Sequence, residues 1–268
     1  MTVTGTDLRT IRCHLRPPIA EIVLDRPEAA NTFTAELLSE LADVTMALAT
    51  NPDIRAVVLR GSGPNFCFGA DVGMFIEEPP EQRPALIRDL VTRLHGAVTR
   101  LRRLEVPVLG VAHGMAVGGG VSLLAACDVV LAAESSRFRL GWTGIGITMD
   151  GGATWLLPRI IGLHRAYELI YTNRIFTADE AHAWGFVNWT VPDDGLESRT
   201  SELAEMLAAG PTRALGACKR LVTDGTSQSF ETHLEDEAVA IVRSFTDRDS
   251  DEGFRAFRER RPPRFLGA

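Results

Sequence analysis

The sequence predicts an α/β core over residues 1–195, followed by a helical region over residues 196–268. The first observation behind this prediction is that short apolar segments alternate with amphipathic ones from Ile19 to Leu104, a pattern typical of strands and helices in turn. Alternation at these lengths favours parallel strands joined by right-handed crossovers. The second observation is that no strand pattern follows Pro192, where helical segments come one after another.

The core begins with two predicted strands, a helix, a third strand and a second helix. They cover Thr10–Leu15, Ile19–Leu24, Phe33–Leu48, Ile54–Arg60 and Ala85–Leu104. In both helices, leucine and valine recur at three- and four-residue spacing, so that each helix presents one apolar face to the core.

The central stretch is a predicted buried strand, a glycine turn and a helix. Val108–Ala112 is apolar throughout, as expected of a strand that is covered on both faces. Gly118–Gly120 permits a sharp turn and a close backbone approach, and Val121–Ala126 then favours a helix. The unpaired N–H groups at such a helix start can hold an anion, or an oxygen that becomes one during a reaction. A tight turn without a ligand is an equally good interpretation of the glycines alone.

The remaining elements follow from the same patterns. Two strands and three helices complete the core, at Val129–Ala132, Arg137–Leu140, Ala153–Ile161, Arg165–Tyr171 and Thr177–Trp184. The four helices of the C-terminal region are predicted at Leu196–Ala209, Thr212–Asp224, Phe230–Phe245 and Asp249–Arg260.

Composition argues against several classes of partner. The formal net charge is −7, whereas a nucleic-acid or anionic-membrane partner calls for a basic excess. Residues 1–20 lack the apolar core of a signal peptide, and the four cysteines are dispersed, so that reduced thiols and a cytoplasmic location are expected. Val106–Cys127 carries no charged residue and is long enough to cross a bilayer, but His113 and the glycine triplet favour a buried strand and helix instead.

Common catalytic motifs are absent. The sequence contains no GxGxxG, Walker lysine loop, GxSxG or HExxH motif. The six histidines are scattered without ligand spacing, so that neither a metal nor a separate cofactor is predicted.

Several stretches resemble one family, the enoyl-CoA hydratase/isomerase (crotonase) superfamily. They are FCFGADVGMF at 66–75, PVLGVAHGMAVGGG at 107–120, CDVVLAAESSRFRLG at 127–141, ELIYTNRIFTADEAHAWGFVNWTV at 168–191 and EGFRAFRERRPPRF at 252–265. The resemblance implies a spiral of strand–strand–helix repeats with a helical trimerisation region at the C-terminus. It also implies a homotrimer or a dimer of trimers.

The resemblance further implies a site for a CoA thioester, with coenzyme A as part of the substrate. Backbone N–H groups at Ala70 and Gly119 would polarise the thioester carbonyl, and Gly119 lies in the glycine turn described above. The residues implied to bind CoA are Arg26, Ala29, Phe68, Gly69, Asp71 and Gly118, with Phe257 and Arg260 from a neighbouring subunit.

The two glutamates with which hydratases of this family handle water are replaced here. Their positions hold Ser122 and Trp142, and neither side chain takes a proton as a carboxylate does, so that hydration by that mechanism is not expected. Ser122 lacks a nucleophile elbow and an activating histidine, and we interpret it as a small polar residue in a tight helix.

Asp150 is the candidate working carboxylate. On its own it would be interpreted as a helix N-cap. However, FRLGWTGIGITMD at 138–150 is similar to the active-site segment of 4-chlorobenzoyl-CoA dehalogenase. That similarity implies that Asp150 is a nucleophile, that Trp142 donates a hydrogen bond to it, and that His95 activates water. Without the resemblance, His95 is equally well explained as a surface residue on a helix.

Other positions leave alternatives open. Where the dehalogenase pocket has aromatic walls, this chain has Ala70, Ile87 and Leu94. Aspartate also occurs at the Asp150 position in dienoyl-CoA isomerases, where it moves protons. The sequence therefore favours an acyl-CoA enzyme of dehalogenase-like hydrolytic chemistry. A hydratase or isomerase with Asp150 as proton carrier, and a CoA-ester-binding protein without turnover, are the alternatives.

Overall fold

The structure of the chain, a computed structural model that describes residues 8–268, is built on a six-stranded and a three-stranded sheet. The strands are β1 (Ile11–Arg16), β2 (Ile19–Leu24), β3 (Ala56–Gly61), β4 (Val108–Ala112), β5 (Met115–Val117), β6 (Val129–Ala133), β7 (Arg137–Arg139), β8 (Phe176–Thr177) and β9 (Trp189–Val191). The larger sheet has the order β1-β2-β3-β4-β6-β9, and the smaller one has the order β5-β7-β8.

Strand directions confirm the parallel pairing expected from the sequence. From β2 to β9, each neighbouring pair in the larger sheet is parallel, and only β1 runs antiparallel, to β2. In the smaller sheet, β5 and β7 are parallel, while β8 is antiparallel to β7. The predicted α/β class is therefore confirmed.

Helices cover both faces of the larger sheet, with α1 and α3 on one face and α8 on the other. In chain order, the helices are α1 (Ala35–Ala49), α2 (Val72–Glu77), α3 (Arg83–Arg103), α4 (Gly119–Ala126), α5 (Ala153–Ile161), α6 (Leu163–Thr172), α7 (Ala178–Ala183), α8 (Leu196–Ala208), α9 (Thr212–Asp224), α10 (Phe230–Ser244) and α11 (Arg248–Glu259). A short 3-10 helix at Trp142–Ile145 carries one of the candidate site residues.

Side chains alternate between two apolar clusters on opposite faces of the sheet. Val57 and Leu59 of β3 belong to the larger cluster, which includes the buried leucines of α1 and α3. Val58 of β3 belongs to the smaller cluster, together with Leu196 and Leu203 of α8. Residues 196–208 therefore pack directly on the sheet, while the chain from 209 onward continues in helices.

The local signals at helix starts agree with the structure. Thr34 caps α1 by accepting a hydrogen bond from Leu37 N at 3.1 Å. Thr177 and Glu180 form a reciprocal capping box at the start of α7, where the sequence has a polar helix start. These caps fix two helices of the core where the sequence placed them.

The differences from prediction lie in short elements. The sequence analysis did not predict α2, β5, β8 or β9, which are two to six residues long. Such short stretches contain too few residues for a period to be recognised. The apolar stretch Val106–Cys127 is divided among β4, β5 and α4, and no helix within residues 8–268 is long and apolar enough to cross a membrane.

Candidate active site

A cleft of about 590 Å³ opens between α2 and α3 on one side and residues 139–150 on the other. Its walls are mainly aliphatic and aromatic. The apolar side chains that line it are Phe33, Leu38, Phe68, Ala70, Val72, Phe75, Ile87, Leu90, Val91, Leu94, Val117, Leu140, Trp142, Ile145 and Ile147. Asp150 is the one acidic side chain in this lining and Arg139 is the one basic side chain. The cleft can therefore hold an apolar group beside a single carboxylate.

Two loops come together at the cleft through glycines. Gly69 has a φ of +74°, and a Cβ there would lie 2.7 Å from Gly119 N. At Gly119 a Cβ would lie 2.3 Å from a ring carbon of Phe33. Only glycine fits at either position, and the absence of both side chains lets the two loops approach this closely.

This approach presents two backbone donors at the cleft wall. Gly119 is the first residue of α4, so that its N–H has no acceptor within the helix. Among residues 8–268, neither Gly119 N nor Ala70 N donates a hydrogen bond, and both residues line the cleft. Two unsatisfied donors next to each other suit an oxygen that gains negative charge.

Asp150 lies in the same cleft, against Trp142. The indole Nε1 of Trp142 donates a hydrogen bond to Oδ1 of Asp150 at 3.1 Å, and the indole is only 7% exposed. Burial raises the pKa of the Asp150 carboxyl, while the hydrogen bond from Trp142 and the neighbouring His95 act in the opposite direction. The carboxylate is thus partly desolvated but held by a neutral donor.

The peptide that follows Asp150 is also held, from two helices. Ser122 Oγ on α4 donates to the carbonyl oxygen of Asp150 at 3.1 Å. Gly151 N donates to Nε2 of His95 on α3 at 3.3 Å. The His95 side chain is exposed and does not line the cleft, because it follows Leu94 around the helix toward the outer side.

Comparison with known proteins decides the family. A sequence model described as enoyl-CoA hydratase/isomerase matches residues 16–268. The chain belongs to the enoyl-CoA hydratase/isomerase family. The chain is 32% identical to a 1,2-epoxyphenylacetyl-CoA isomerase of Escherichia coli over 96% of its own length and 98% of that protein. It is 34% identical to a 4-chlorobenzoyl coenzyme A dehalogenase of Arthrobacter over 84% of its own length and 82% of that protein.

Solved structures agree with the sequence comparison. The crystal structure of an enoyl-CoA hydratase from Bacillus anthracis superposes with a TM-score of 0.90 at 34% identity, covering 97% of this chain and 100% of that one. The crotonase-like spiral expected from the sequence is therefore confirmed, as is the resemblance to the dehalogenase.

As a member of this family, the chain differs at the two positions where the hydratases have glutamates. Ser122 is fully buried and bonded to Asp150, and Trp142 is bonded to the carboxylate of the same residue. The three residues therefore form one connected group. Ala70, Ile87 and Leu94 all line the cleft, so that part of its wall is aliphatic.

The residues expected to bind CoA lie in different surroundings. Phe68 and Gly118 line the cleft, and Gly69, which follows Phe68, closely approaches the backbone of Gly118 and Gly119. Asp71 caps α2 by accepting from Gly73 N at 3.0 Å. Arg26 donates to the carbonyl oxygen of Thr32 at 2.6 Å, with Ala29 in the short helix that follows it.

The two C-terminal candidates lie outside the cleft of the single protomer. Phe257 is 87% exposed on α11, and Arg260 ends that helix in the left-handed backbone conformation. Neither residue lines the cleft. Their expected contact with CoA through a neighbouring subunit stays a prediction.

Sequence analysis missed the residues that hold the Trp142 segment. Asn173, just after α6, accepts a hydrogen bond from Gly141 N at 2.9 Å through its side-chain oxygen. Thr143 Oγ1 donates to the carbonyl oxygen of Ile170 at 2.7 Å. The one available signal was an asparagine at a helix end, which is typical of the left-handed conformation that Asn173 adopts.

No metal site accompanies this arrangement in the part of the chain that the structure describes. Across residues 8–268, no group of three His, Cys, Asp or Glu side chains is close enough to hold an ion.

Proposed function

We propose that the protein acts on acyl- or aryl-CoA thioesters and that Asp150 attacks the substrate as a nucleophile. Membership of the enoyl-CoA hydratase/isomerase family supports the substrate class. The observation that carries the proposal is the position of Asp150 in an apolar cleft, bonded to Trp142 Nε1, with two unsatisfied backbone donors in the same wall. A carboxylate held by a neutral donor keeps its charge and is available for attack.

In the proposed reaction, the thioester oxygen accepts hydrogen bonds from Ala70 N and Gly119 N. Those donors stabilise the negative charge that moves onto the oxygen when Asp150 adds to a carbon conjugated with the carbonyl. When the negative charge moves back from the thioester oxygen to the attacked carbon, a leaving group departs from that carbon with its electron pair. The substrate then remains as an ester of Asp150. The enolate-like intermediate therefore depends on donors that are preorganised in the free protein.

Water then cleaves the ester of Asp150. The oxygen of a water molecule adds to the carboxyl carbon of Asp150. The bond from that carbon to the ester oxygen that is attached to the substrate then breaks, and the hydroxylated product leaves with that oxygen. The net change is replacement of the leaving group by hydroxyl with release of its acid. We propose His95 as the base for this step, since its Nε2 reaches the backbone next to Asp150, at 3.3 Å from Gly151 N. In this role, water replaces Gly151 N as the partner of Nε2.

Intact-protein mass spectrometry tests the covalent step. With 4-chlorobenzoyl-CoA as the first probe, His95→Gln should accumulate a protein species heavier by the substrate minus HCl. Glutamine has an oxygen that still accepts the Gly151 N–H, so that the peptide keeps its contact. The double variant with Asp150→Asn is the control and should remain unmodified. A modified protein in the double variant would place the covalent bond on another residue.

A second candidate function is double-bond isomerisation with Asp150 as proton carrier. Burial raises the pKa of Asp150, which brings the carboxyl nearer to the range in which it both takes and gives a proton. Similarity to a 1,2-epoxyphenylacetyl-CoA isomerase gives the isomerase class further support. Deuterium exchange into an enoyl-CoA, lost in Asp150→Asn and without any covalent species, would favour this function over the first.

A third candidate is binding of CoA esters without turnover, motivated by the loss of both family glutamates. Calorimetry with several acyl-CoA esters, followed by a product assay, separates this candidate from the first two. All three share the expectation that a CoA ester binds and that the corresponding free acid does not. Equal affinity for an acid and its CoA ester would contradict every one of them.

A further inference from the structure

Ser122 behaves unlike Thr45 and Thr200, two other buried hydroxyls in helices. Thr45 Oγ1 and Thr200 Oγ1 each donate to the carbonyl four residues earlier in their own helix, at 2.8 Å and 2.7 Å. This is the usual solution for a buried hydroxyl in a helix. Ser122 is equally buried, at 0% exposure, but its Oγ donates out of α4 to the carbonyl oxygen of Asp150. Its hydrogen bond therefore joins two separate elements.

That contact and the His95 contact act on the same peptide group. The carbonyl of Asp150 accepts from Ser122 Oγ at 3.1 Å, and the N–H of the same peptide, which belongs to Gly151, donates to His95 Nε2 at 3.3 Å. The C=O and N–H of one peptide group point in opposite directions. A donor on α4 thus holds one side of this group, and an acceptor on α3 holds the other. Rotation of this peptide breaks both hydrogen bonds at once.

Packing also restricts the position of this peptide. Gly151 has a φ of +62°, and a Cβ there would lie 2.8 Å from Cβ and from Oγ of Ser122. The backbone of Gly151 therefore lies directly against the Ser122 side chain, with no room for a residue larger than glycine at position 151. Because Asp150 precedes this peptide, its orientation determines where the carboxylate lies relative to Trp142 Nε1.

We propose that Ser122 is a positioning residue, which fixes the Asp150–Gly151 peptide and through it holds the carboxylate of Asp150 against Trp142. Ser122 does not bond to the carboxylate and is not itself part of the cleft lining, so that it acts only through the backbone of Asp150. The inference rests on the proposed role of Asp150 for its effect on rate. Its structural part, the alignment of Asp150 with Trp142, is independent of which reaction the protein catalyses.

The test compares Ser122→Ala with Thr45→Val. Both changes remove a fully buried helix hydroxyl, but only the first removes a contact with Asp150. The protein is labelled with 5-fluorotryptophan, and the signal of Trp142 is assigned from Trp142→Phe among those of Trp155, Trp184 and Trp189. In the fluorine NMR spectrum, Ser122→Ala should shift or broaden the Trp142 signal alone, and Thr45→Val should leave it in place.

Kinetics with a CoA ester that the wild type converts provide the second readout. Misplacement of a reacting group by about 1 Å can cost about a hundredfold in rate, so that Ser122→Ala should lower kcat by about ten- to a hundredfold with little change in KM. Ser122→Cys keeps only a weak donor, on a larger atom, so that its effect on both readouts should lie between those of the wild type and Ser122→Ala.

An unchanged Trp142 signal in Ser122→Ala would overturn the proposal, as would an equal change in Thr45→Val. If Ser122→Ala fails to fold, Ser122→Cys takes its place: the weaker thiol donor should still move the Trp142 signal, and a signal unchanged from wild type would overturn the proposal. If the wild type converts no CoA ester while the Trp142 signal responds as expected, the proposed function fails and the positioning role stands.

Discussion

At the scale of single residues, the chemistry of the cleft depends on the ionisation of Asp150. Burial disfavours the charged carboxylate, and the Trp142 hydrogen bond recovers only part of the lost solvation, so that the pKa of Asp150 stays above its ordinary value. A nucleophile kept in this way is more reactive than a hydrated carboxylate and costs the folded state some stability. Active sites commonly combine these two properties.

Because the buried carboxylate of Asp150 destabilises the folded state, we expect Asp150→Asn to increase stability in a pH-dependent way. The pKa of Asp150 is higher in the folded than in the unfolded state, so that the folded state binds more protons and stability falls as pH rises through that pKa. Asparagine escapes this loss and still accepts from Trp142 Nε1. We expect a higher Tm than wild type at pH 7 and no difference at a pH below the ordinary aspartate pKa, as measured by calorimetry. A lower Tm at pH 7 would contradict this reading of the site.

Sequence could identify Asp150 and Trp142 because their spacing matches a known segment, but it could not place Ser122. The Ser122 contact joins residues 28 positions apart, and it forms because the Gly151 backbone approaches α4. A serine in a helix gives no sign of which carbonyl its hydroxyl will reach. His95 illustrates the same limit, since its reach to Gly151 depends on where α3 lies relative to α4.

At the scale of elements, the glycine turn before α4 is predictable from its own residues, whereas its partner loop could be predicted only from the family resemblance. Three consecutive glycines indicate a close backbone approach, but nothing local indicates that Gly69 is the residue approached. The pairing comes from isolated bridges that join Phe33 to Ala70 and Cys67 to Ala116. Long-range bridges of this kind have no periodic signal in the sequence.

Removal of the Gly119 N–H tests the turn directly. Proline is a poor probe, because any Cβ at Gly119 collides with the Phe33 ring. Replacement of Gly119 by glycolic acid, introduced by chemical or suppressor-mediated synthesis, exchanges only N–H for oxygen. Loss of one oxyanion donor should lower kcat by about a hundredfold to a thousandfold. The same exchange at Gly195, whose N–H donates to the carbonyl oxygen of Pro192 away from the cleft, is the control and should leave kcat near wild type.

The 3-10 helix that carries Trp142 depends on Asn173. Asn173→Gly keeps the left-handed backbone but removes the acceptor of Gly141 N, whereas Asn173→Asp retains an acceptor oxygen. Since a hydrogen bond of this kind contributes about 1 kcal/mol, we expect Asn173→Gly to lower kcat/KM by about fivefold and Asn173→Asp to have little effect. Equal losses in the two variants would exclude this hydrogen bond as the cause.

At the scale of the whole molecule, the C-terminal helices leave a large apolar surface uncovered in the single protomer. Phe230, Val239, Val242 and Phe245 of the α10 region are 61–70% exposed, and Phe254 and Phe257 of α11 are 57% and 87% exposed. Surfaces of this kind usually mark an interface between chains. The expected trimer or dimer of trimers, for which this surface would be available, stays a prediction.

Sedimentation and complementation test the assembly together. Analytical ultracentrifugation at micromolar concentration should give a trimer or a hexamer, and a monomer would contradict the prediction.

If Phe257 and Arg260 complete the CoA site of a neighbour, then Phe257→Ala and Asp150→Asn protomers are each inactive alone. Mixed trimers should regain activity, because some sites combine an intact Asp150 with an intact Phe257. No recovery in mixed trimers would argue that each protomer builds its own site.

A single turnover in oxygen-18 water shows whether Asp150 forms a bond to the substrate. The enzyme is in excess over a CoA ester that it converts, with 4-chlorobenzoyl-CoA as the first probe. If Asp150 is the nucleophile, the hydroxylated product of this turnover carries ordinary oxygen taken from Asp150, and the label enters the peptide containing Asp150. Label in the first product, with none in the protein, would mean that water attacks the substrate itself and would rule out a covalent bond to Asp150.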